Sequence, residues 1–469
     1  MGMSMFARGF KLPQWAGFAG ILALLLVVAG CVPDPSFRPG MHNRNARTSA
    51  VYMTFGLKLN PSFISQMKTP SDVTAADLHD FYNEQQFYTT FYRNGNWTRA
   101  GELTFQTLKN AESEGLRAED YLPVGMLRRA SLAGSNPQQS DVWLTAGLMA
   151  YAADVRQGRY NPNARNIGPD LLREGIERAD FGVFLASLPP QGRSYRGLRD
   201  VLGGAVGPVS NARKKQLAVN MERLRWDHEP FGAPRDLRVN IPGQTLEVFE
   251  DGVLVRSMSV VVGRSSRKTP VMQDQIVSLK FSPDWTPTRS IVQEDYLNQA
   301  QADPAYFDQK GWQVYLDGER TTSASIDWTA VDLDKVTVRQ PSGASNALGG
   351  VRFSLTNNRA IYLHDTNAHS LFDEPKRLFS SGCVRVEDAS WLAHWIMGGQ
   401  PVAMSMEQVK ANMALGTPKT KRLSRALPVS ISYLTVWVDG ANHLHWEEDV
   451  YGHDKRLASK MRFPLSWGT

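Results

Sequence analysis

The spacing of apolar positions changes period once along the chain. From about Pro70 to Leu188 it is helical or nearly so. Trp97 to Gly115 carries Leu103, Phe105, Leu108 and Ala111, and Ser140 to Gly158 carries Val142, Leu144, Leu148, Tyr151, Ala152 and Val155. Asn94-Gly95, Gly134-Ser135-Asn136-Pro137 and Asn161-Pro162-Asn163 break these segments. After a Pro/Gly stretch at 188–192, Asn211 to Trp226 predicts a basic amphipathic helix with Leu217, Met221 and Leu224 in line. Such a helix suits nucleic acid or a membrane, but more commonly presents a solvated face above a core.

Beyond residue 230 the pattern alternates or runs β-branched. Asp236 to Phe249 and Val253 to Val262 predict a hairpin through Asp251-Gly252. Further strands are expected at Ile276–Phe281, Trp312–Leu316, Val336–Arg339, Val351–Leu355, Ala360–Leu363 and Val402–Met404. Ser430–Val438 and His443–Glu448 form a last pair across Asp439-Gly440. Ile291 to Phe307 is polar and helix-prone, and long for a connection inside a β domain, so it is expected to be a lid with Tyr296, Tyr306 and Phe307 closing over a ligand. The fold class is α+β: a helical N-terminal domain, then a β-rich domain with a helical lid insertion. There is no internal repeat.

Composition narrows the functional classes. The 469 residues are 42% hydrophobic and 21% charged with a net charge of +6, which excludes large-scale disorder and gives nucleic acid no support of its own. Two cysteines, Cys31 and Cys383, exclude a disulfide scaffold and a multi-cysteine zinc site. Arg8 and Lys11, the apolar run 21–28 and the small pair Ala29-Gly30 read as an export signal. Val28-Ala29-Gly30-Cys31 resembles a lipobox, which implies acylation of Cys31. Val32, not being aspartate, implies the outer membrane. A cleaved soluble signal or a short anchor is the alternative.

Cys383 lies in Ser380-Ser381-Gly382-Cys383-Val384-Arg385, ahead of a helix-like segment beginning near Glu387. A helix dipole together with Lys376, Arg377 and Arg385 would favour the thiolate. Gly382 allows close approach of a substrate, and local N–H groups could hold an oxyanion. The strand before His364-Asp365-Thr366 would present a base, and Cys with His is the pairing for nucleophilic acyl transfer. A lone Cys is more often a small buried hydrophobe, but an exported protein exposes an unused thiol to oxidation. His443-Leu444-His445 places two imidazoles on one strand face, where a metal would need further ligands. A solvated face is the plainer reading, and no metal is expected.

The His364 and Cys383 segments, 19 positions apart, resemble the L,D-transpeptidase (YkuD-like) catalytic domain. Leu363-His364-Asp365-Thr366, Asn346-Ala347-Leu348-Gly349 and Val261-Val262-Gly263 with Thr269-Pro270 extend the likeness to the larger YcbB-type branch. So do residues 220–226 (Asn-Met-Glu-Arg-Leu-Arg-Trp), Tyr433 to Val438, and in the helical region Phe81-Tyr82, Glu114-Gly115-Leu116 and Tyr151-Ala152-Ala153-Asp154. The resemblance implies Cys383 as nucleophile, His364 as general base and the Asp365 carbonyl as its orienting partner, the Asp365 carboxylate being alternatively a solvated turn group. It implies an oxyanion hole from the Gly382 and Cys383 N–H groups, and substrate contacts from Arg385, Ser381 and Tyr362. For Arg385 an ion pair to Glu387 or Asp388 is the competing reading, and Tyr362 could simply pack. Ser381 stands where smaller members carry a second His. No room remains between scaffold and basic helix for the branch's peptidoglycan-binding module.

The implied organisation is a signal peptide at 1–30, a tether at 31–55, a scaffold at 56–190, a connecting segment at 191–230, a catalytic domain at 231–425 with its lid at about 289–311, and a β-hairpin extension at 426–469. The implied reaction joins peptidoglycan stem peptides without a cofactor, in a periplasmic protein tethered to the membrane by its lipid and expected to be monomeric, with no nucleic acid partner. Alternatives are an L,D-carboxypeptidase using water, D-amino-acid exchange, attachment of a lipoprotein, or a non-catalytic wall-binding lipoprotein.

Overall fold

The computed structural model describes residues 56–69, 72–226 and 233–468. The signal peptide, the tether and Cys31 lie outside the described residues. The chain divides into two compact units, 1–231 with 434–469, and 232–433.

In the first unit the helical spacing yields Ala75–Glu84, Arg99–Lys109 and Pro137–Gln157. Each starts where a side chain can accept an otherwise orphaned N–H: Thr74 with Asp77 forms a capping box, and Thr98 and Asn136 cap the other two. Their inner faces bury Phe81, Tyr82, Phe105, Leu108, Leu144 and Leu148 in one core. The region is not wholly helical, as the pattern suggested. Gly56–Lys58, Tyr88–Arg93 and Asn96–Trp97 form a three-stranded sheet turning at Asn94-Gly95. A tertiary contact stabilises it: the Asp141 carboxylate accepts the Thr90 and Phe91 N–H groups at 3.0 and 2.7 Å, and the Tyr82 hydroxyl at 2.7 Å. Burial lifts Asp141 to about 6 against these bonds.

Asn211–Trp226 is a helix, and Leu217, Met221 and Leu224 pack with Tyr195, Leu198, Val436 and Trp437. Its C-terminal arginines are not a solvated face. Arg225 is fully buried and donates to Glu222 at 3.1 Å and to the Tyr195 hydroxyl at 2.8 Å. Arg223 pairs with Asp454. Asn220 exchanges two 2.9 Å hydrogen bonds with Thr435, so two motifs more than 200 positions apart are one structural element.

The second unit is built on a nine-stranded sheet: β1 (Arg235–Asn240), β2 (Thr245–Glu250), β3 (Val253–Gly263), β4 (Met272–Phe281), β5 (Val351–Leu355), β6 (Leu363–His364), β7 (Leu378–Ser380), β8 (Val384–Val386) and β9 (Lys419–Ser432). The order is β7-β3-β8-β6-β5-β4-β9-β1-β2, and a further β2–β3 pairing closes eight strands into a ring. Asp251 and Gly252, both at positive φ, form the expected hairpin turn. Three expectations are corrected. Asp236–Phe249 is two strands, because Pro242-Gly243 turns the chain back on itself. Val402–Met404 is loop, with Val402 65% exposed. The boundary expected at 425/426 falls inside β9, whose Val429–Ser432 pair with β1. Only Val436–Val438 and Leu444–Trp446 make the C-terminal hairpin, and they belong to the first unit.

The insertion is also larger than the 289–311 expected of a lid. Trp285 and Gln340 bridge at its base, and Gln313–Leu316, Glu319–Thr321 and Val336–Arg339 form a sheet separate from the main one. The insertion has its own core of Val292, Ala300, Phe307, Val314, Ile326, Trp328 and Val338. Phe307 is buried there and cannot close over a ligand.

Candidate active site

Sheet register assembles the site. Arg352 on β5 pairs with His364 on β6, and His364 pairs with Arg385 on β8. Residues opposite one another on neighbouring strands share a face, so the imidazole stands between two guanidinium groups. Cys383 immediately precedes β8. All four line a cavity of about 780 Å³ that also takes in Tyr362, Ser381 and Tyr296 of the insertion. The lining carries seven cationic side chains and two carboxylates.

His364 is buried, and its Nδ1 meets the Asp365 carbonyl oxygen. A carbonyl only accepts, so Nδ1 carries the hydrogen and Nε2 keeps its lone pair. Burial and the charge of Arg385, with a smaller contribution from Arg352, bring the imidazole down to about 3 against that hydrogen bond. His364 is therefore a neutral imidazole whose Nε2 can accept a proton. The Asp365 carboxylate is no solvated turn group: it is 8% exposed, with burial raising its pKa, and accepts the Gly350 N–H at 2.7 Å. Gly349, at φ +58°, would place a Cβ 2.4 Å from that carboxylate, which accounts for the glycine of the Asn-Ala-Leu-Gly motif.

The thiol of Cys383 donates toward the Ala360 carbonyl at 3.5 Å and lies beside the Tyr362 hydroxyl. Burial pushes it up to about 11, although Tyr362 and the two arginines act in the opposite direction. The expected thiolate is corrected here. Strand β8 separates Cys383 from the helix Ala389–Gly398, whose N-cap is Asp388, and a helix dipole fades within a turn. Arg377 turns away to the Gln244 and Val260 carbonyls.

The loop before the cysteine is internally braced. The Gly382 N–H donates to Ser380 Oγ at 3.1 Å, so it is not the free oxyanion donor expected of it. Gly382 has φ +116°, a conformation that favours glycine. Thr269 Oγ1 donates to the Gly382 carbonyl at 2.8 Å and accepts the Gly263 N–H at 2.9 Å. That bridge explains why Val-Val-Gly and Thr-Pro accompany the cysteine motif. Ser381 accepts from Arg267 at 3.0 Å. Arg267 pairs in turn with Asp295 at 2.9 Å and Glu294 at 2.7 Å on the insertion.

Arg385 has no carboxylate partner among the described residues. Glu387 accepts the Ser259 N–H, and Asp388 pairs with Arg256 and caps its helix. The buried Nε atoms of Arg385 and Arg352 have no hydrogen-bond partner among the described residues. Sequence reasoning missed Arg352, Arg267 and Asp295. A signal existed for Arg352: it alternates with buried Val351 and Phe353, so it faces the other side of the strand.

Residues 234–404 match the L,D-transpeptidase catalytic domain (YkuD) and residues 76–202 the Scaffold domain. The chain carries a Scaffold domain followed by an L,D-transpeptidase catalytic domain. It is 34% identical over 289 residues to a Haemophilus influenzae protein named as a candidate L,D-transpeptidase, covering 60% of this chain and 57% of that protein's length. Among solved structures it is similar to an L,D-transpeptidase from Mycobacterium smegmatis at 13% identity and TM-score 0.22, over 43% of this chain and 59% of the other. L,D-transpeptidase 3 from Mycobacterium tuberculosis aligns at 13% identity and TM-score 0.21, over 43% and 62%.

Proposed function

We propose that this protein is a peptidoglycan L,D-transpeptidase. The observation that carries the reading is the neutral His364, its Nδ1–H committed to the Asp365 carbonyl, in one cavity with Cys383. Cys383 Sγ attacks the carbonyl carbon of the third stem residue of a tetrapeptide, and His364 Nε2 takes the thiol proton as the C–S bond forms. The oxyanion is met by the Cys383 N–H and the Tyr362 hydroxyl. Collapse expels D-Ala, whose amine takes the proton from His364 and leaves a thioester. The side-chain amine of a second stem then attacks the thioester, giving a crosslink between third residues and restoring the thiol. Arg352 and Arg385 suit the free carboxylates of stem peptides. A basic cavity lined by both Cys383 and His364 fits catalysis better than simple wall binding. Export through the N-terminal signal and acylation at Cys31 belong to the same proposal and place the enzyme in the periplasm at the outer membrane.

Incubation with disaccharide-tetrapeptide, followed by mass analysis, tests the reaction. Crosslinked dimer plus free D-Ala is the expected outcome. Tripeptide monomer alone would make the protein an L,D-carboxypeptidase, and unchanged substrate would leave a wall-binding protein. The acceptor depends on water being excluded from the thioester. Asp295→Ala removes the carboxylate that ties Arg264 to the insertion at 2.7 Å and one of the two that tie Arg267, which keeps Glu294. The ratio of dimer to tripeptide is expected to fall roughly tenfold, an effect of about 1.4 kcal/mol, while Cys383 remains open to alkylation. An unchanged ratio would show that the insertion does not gate water.

A further inference from the structure

The C-terminal hairpin supplies what the His443-Leu444-His445 pattern lacked, a third ligand. Asp439, at the base of the turn between Val436–Val438 and Leu444–Trp446, faces both imidazoles. Its Oδ2 lies 3.3 Å from His443 Nδ1 and 2.8 Å from His445 Nε2. One ligand atom from each residue falls within 4.8 Å of the others. We propose that Asp439, His443 and His445 bind a divalent transition-metal ion, zinc foremost, in a site separate from the cysteine chemistry.

Two borderline nitrogens and one carboxylate oxygen on three protein residues form the donor set of an open tetrahedral zinc site, with water or an outside group as fourth ligand. The donors are positioned by bonds that do not use them. Asp439 Oδ1 accepts the Ala441 and His443 N–H groups at 2.9 and 2.7 Å, which closes the turn and leaves Oδ2 to face the imidazoles. Trp437 stacks on His445 with centroids 4.7 Å apart and planes 14° apart, fixing that ring. Arg193 holds the Gly440 carbonyl at 2.7 Å. Outer contacts of this kind orient metal ligands and sustain affinity. All three residues are half-buried, which leaves an entry path.

The test uses the full chain carrying Cys383→Ala, so that the active-site thiol takes no metal. Calorimetric titration with ZnCl2 should give one zinc per chain and a higher melting temperature. Cobalt(II) in its place should develop the visible absorption of low-coordinate nitrogen and oxygen ligation. Asp439→Asn and His445→Gln should each weaken zinc binding by at least about a hundredfold, beyond what loss of an outer contact costs. His445→Gln keeps an N–H donor toward Asp439, so it decides the matter even where Asp439→Asn disturbs the turn. No zinc uptake by the parent chain, or equal uptake by His445→Gln, would overturn the site.

Discussion

Cys383→Ala is expected to remove acyl transfer, a loss of at least about 10⁴-fold, with the fold retained by circular dichroism. Loss of a covalent nucleophile leaves only binding and oxyanion stabilisation, and nucleophiles tested this way cost about 10⁶-fold in rate. Alanine at a half-buried position adds no volume and breaks one weak thiol bond to Ala360. The pH profile of the wild type is the sharper part of this prediction. With the thiol pushed up to about 11 and the imidazole down to about 3, both groups are uncharged across the neutral range. Alkylation of the unliganded protein by iodoacetamide should climb about tenfold per pH unit from neutrality to about 11, with no step near 6.5. A plateau already reached at pH 7 would mean that a thiolate is stored before substrate arrives. His364→Ala should lower turnover by about 10²–10⁴-fold and leave the alkaline labelling in place, because the base is needed only as the C–S bond forms.

Arg225→Ala is expected to destabilise the first unit by about 3–5 kcal/mol, measured from its denaturant unfolding transition. The guanidinium is wholly buried and bonds Glu222, Tyr195 and the Glu114 carbonyl, while Tyr195 also donates to Glu114 at 2.8 Å. Truncation leaves buried acceptors without donors and Glu222 without its cation. Glu222 is already held by the Tyr160 N–H and the Trp226 indole at 2.6 and 2.9 Å, so it cannot move to water without breaking the end of the helix. Tyr195→Phe, which removes one hydroxyl from the cluster, should cost about 1–3 kcal/mol. A cost for Arg225→Ala below about 1 kcal/mol would show that the cluster is no stronger than a surface ion pair.

The chain's local patterns settled a good deal by themselves. Helical spacing with Thr98 and Asn136 ahead of it fixed Arg99–Lys109 and Pro137–Gln157, because caps and apolar stripes act within a turn or two. Asp251-Gly252 fixed one hairpin, since few residues accept positive φ at both positions. The residues around His364 and Cys383 marked the resemblance to the L,D-transpeptidase catalytic domain that the domain match bears out. What those patterns could not contain is set by distance. The Tyr88–Arg93 strand forms beside helices because Asp141, some fifty positions away, takes its N–H groups. Trp312–Leu316 and Val336–Arg339 have strand spacing yet leave the main sheet, because the insertion buries a core of its own. The row of Arg352, His364 and Arg385 exists only in the register of three strands. Burial and that row together make the imidazole neutral, and burial against the pull of the two arginines keeps the thiol protonated where helix-dipole reasoning gave a thiolate. Sequence supplies the groups and their short-range geometry. Their protonation follows from burial and from charges brought close by the fold, which one-dimensional spacing does not encode.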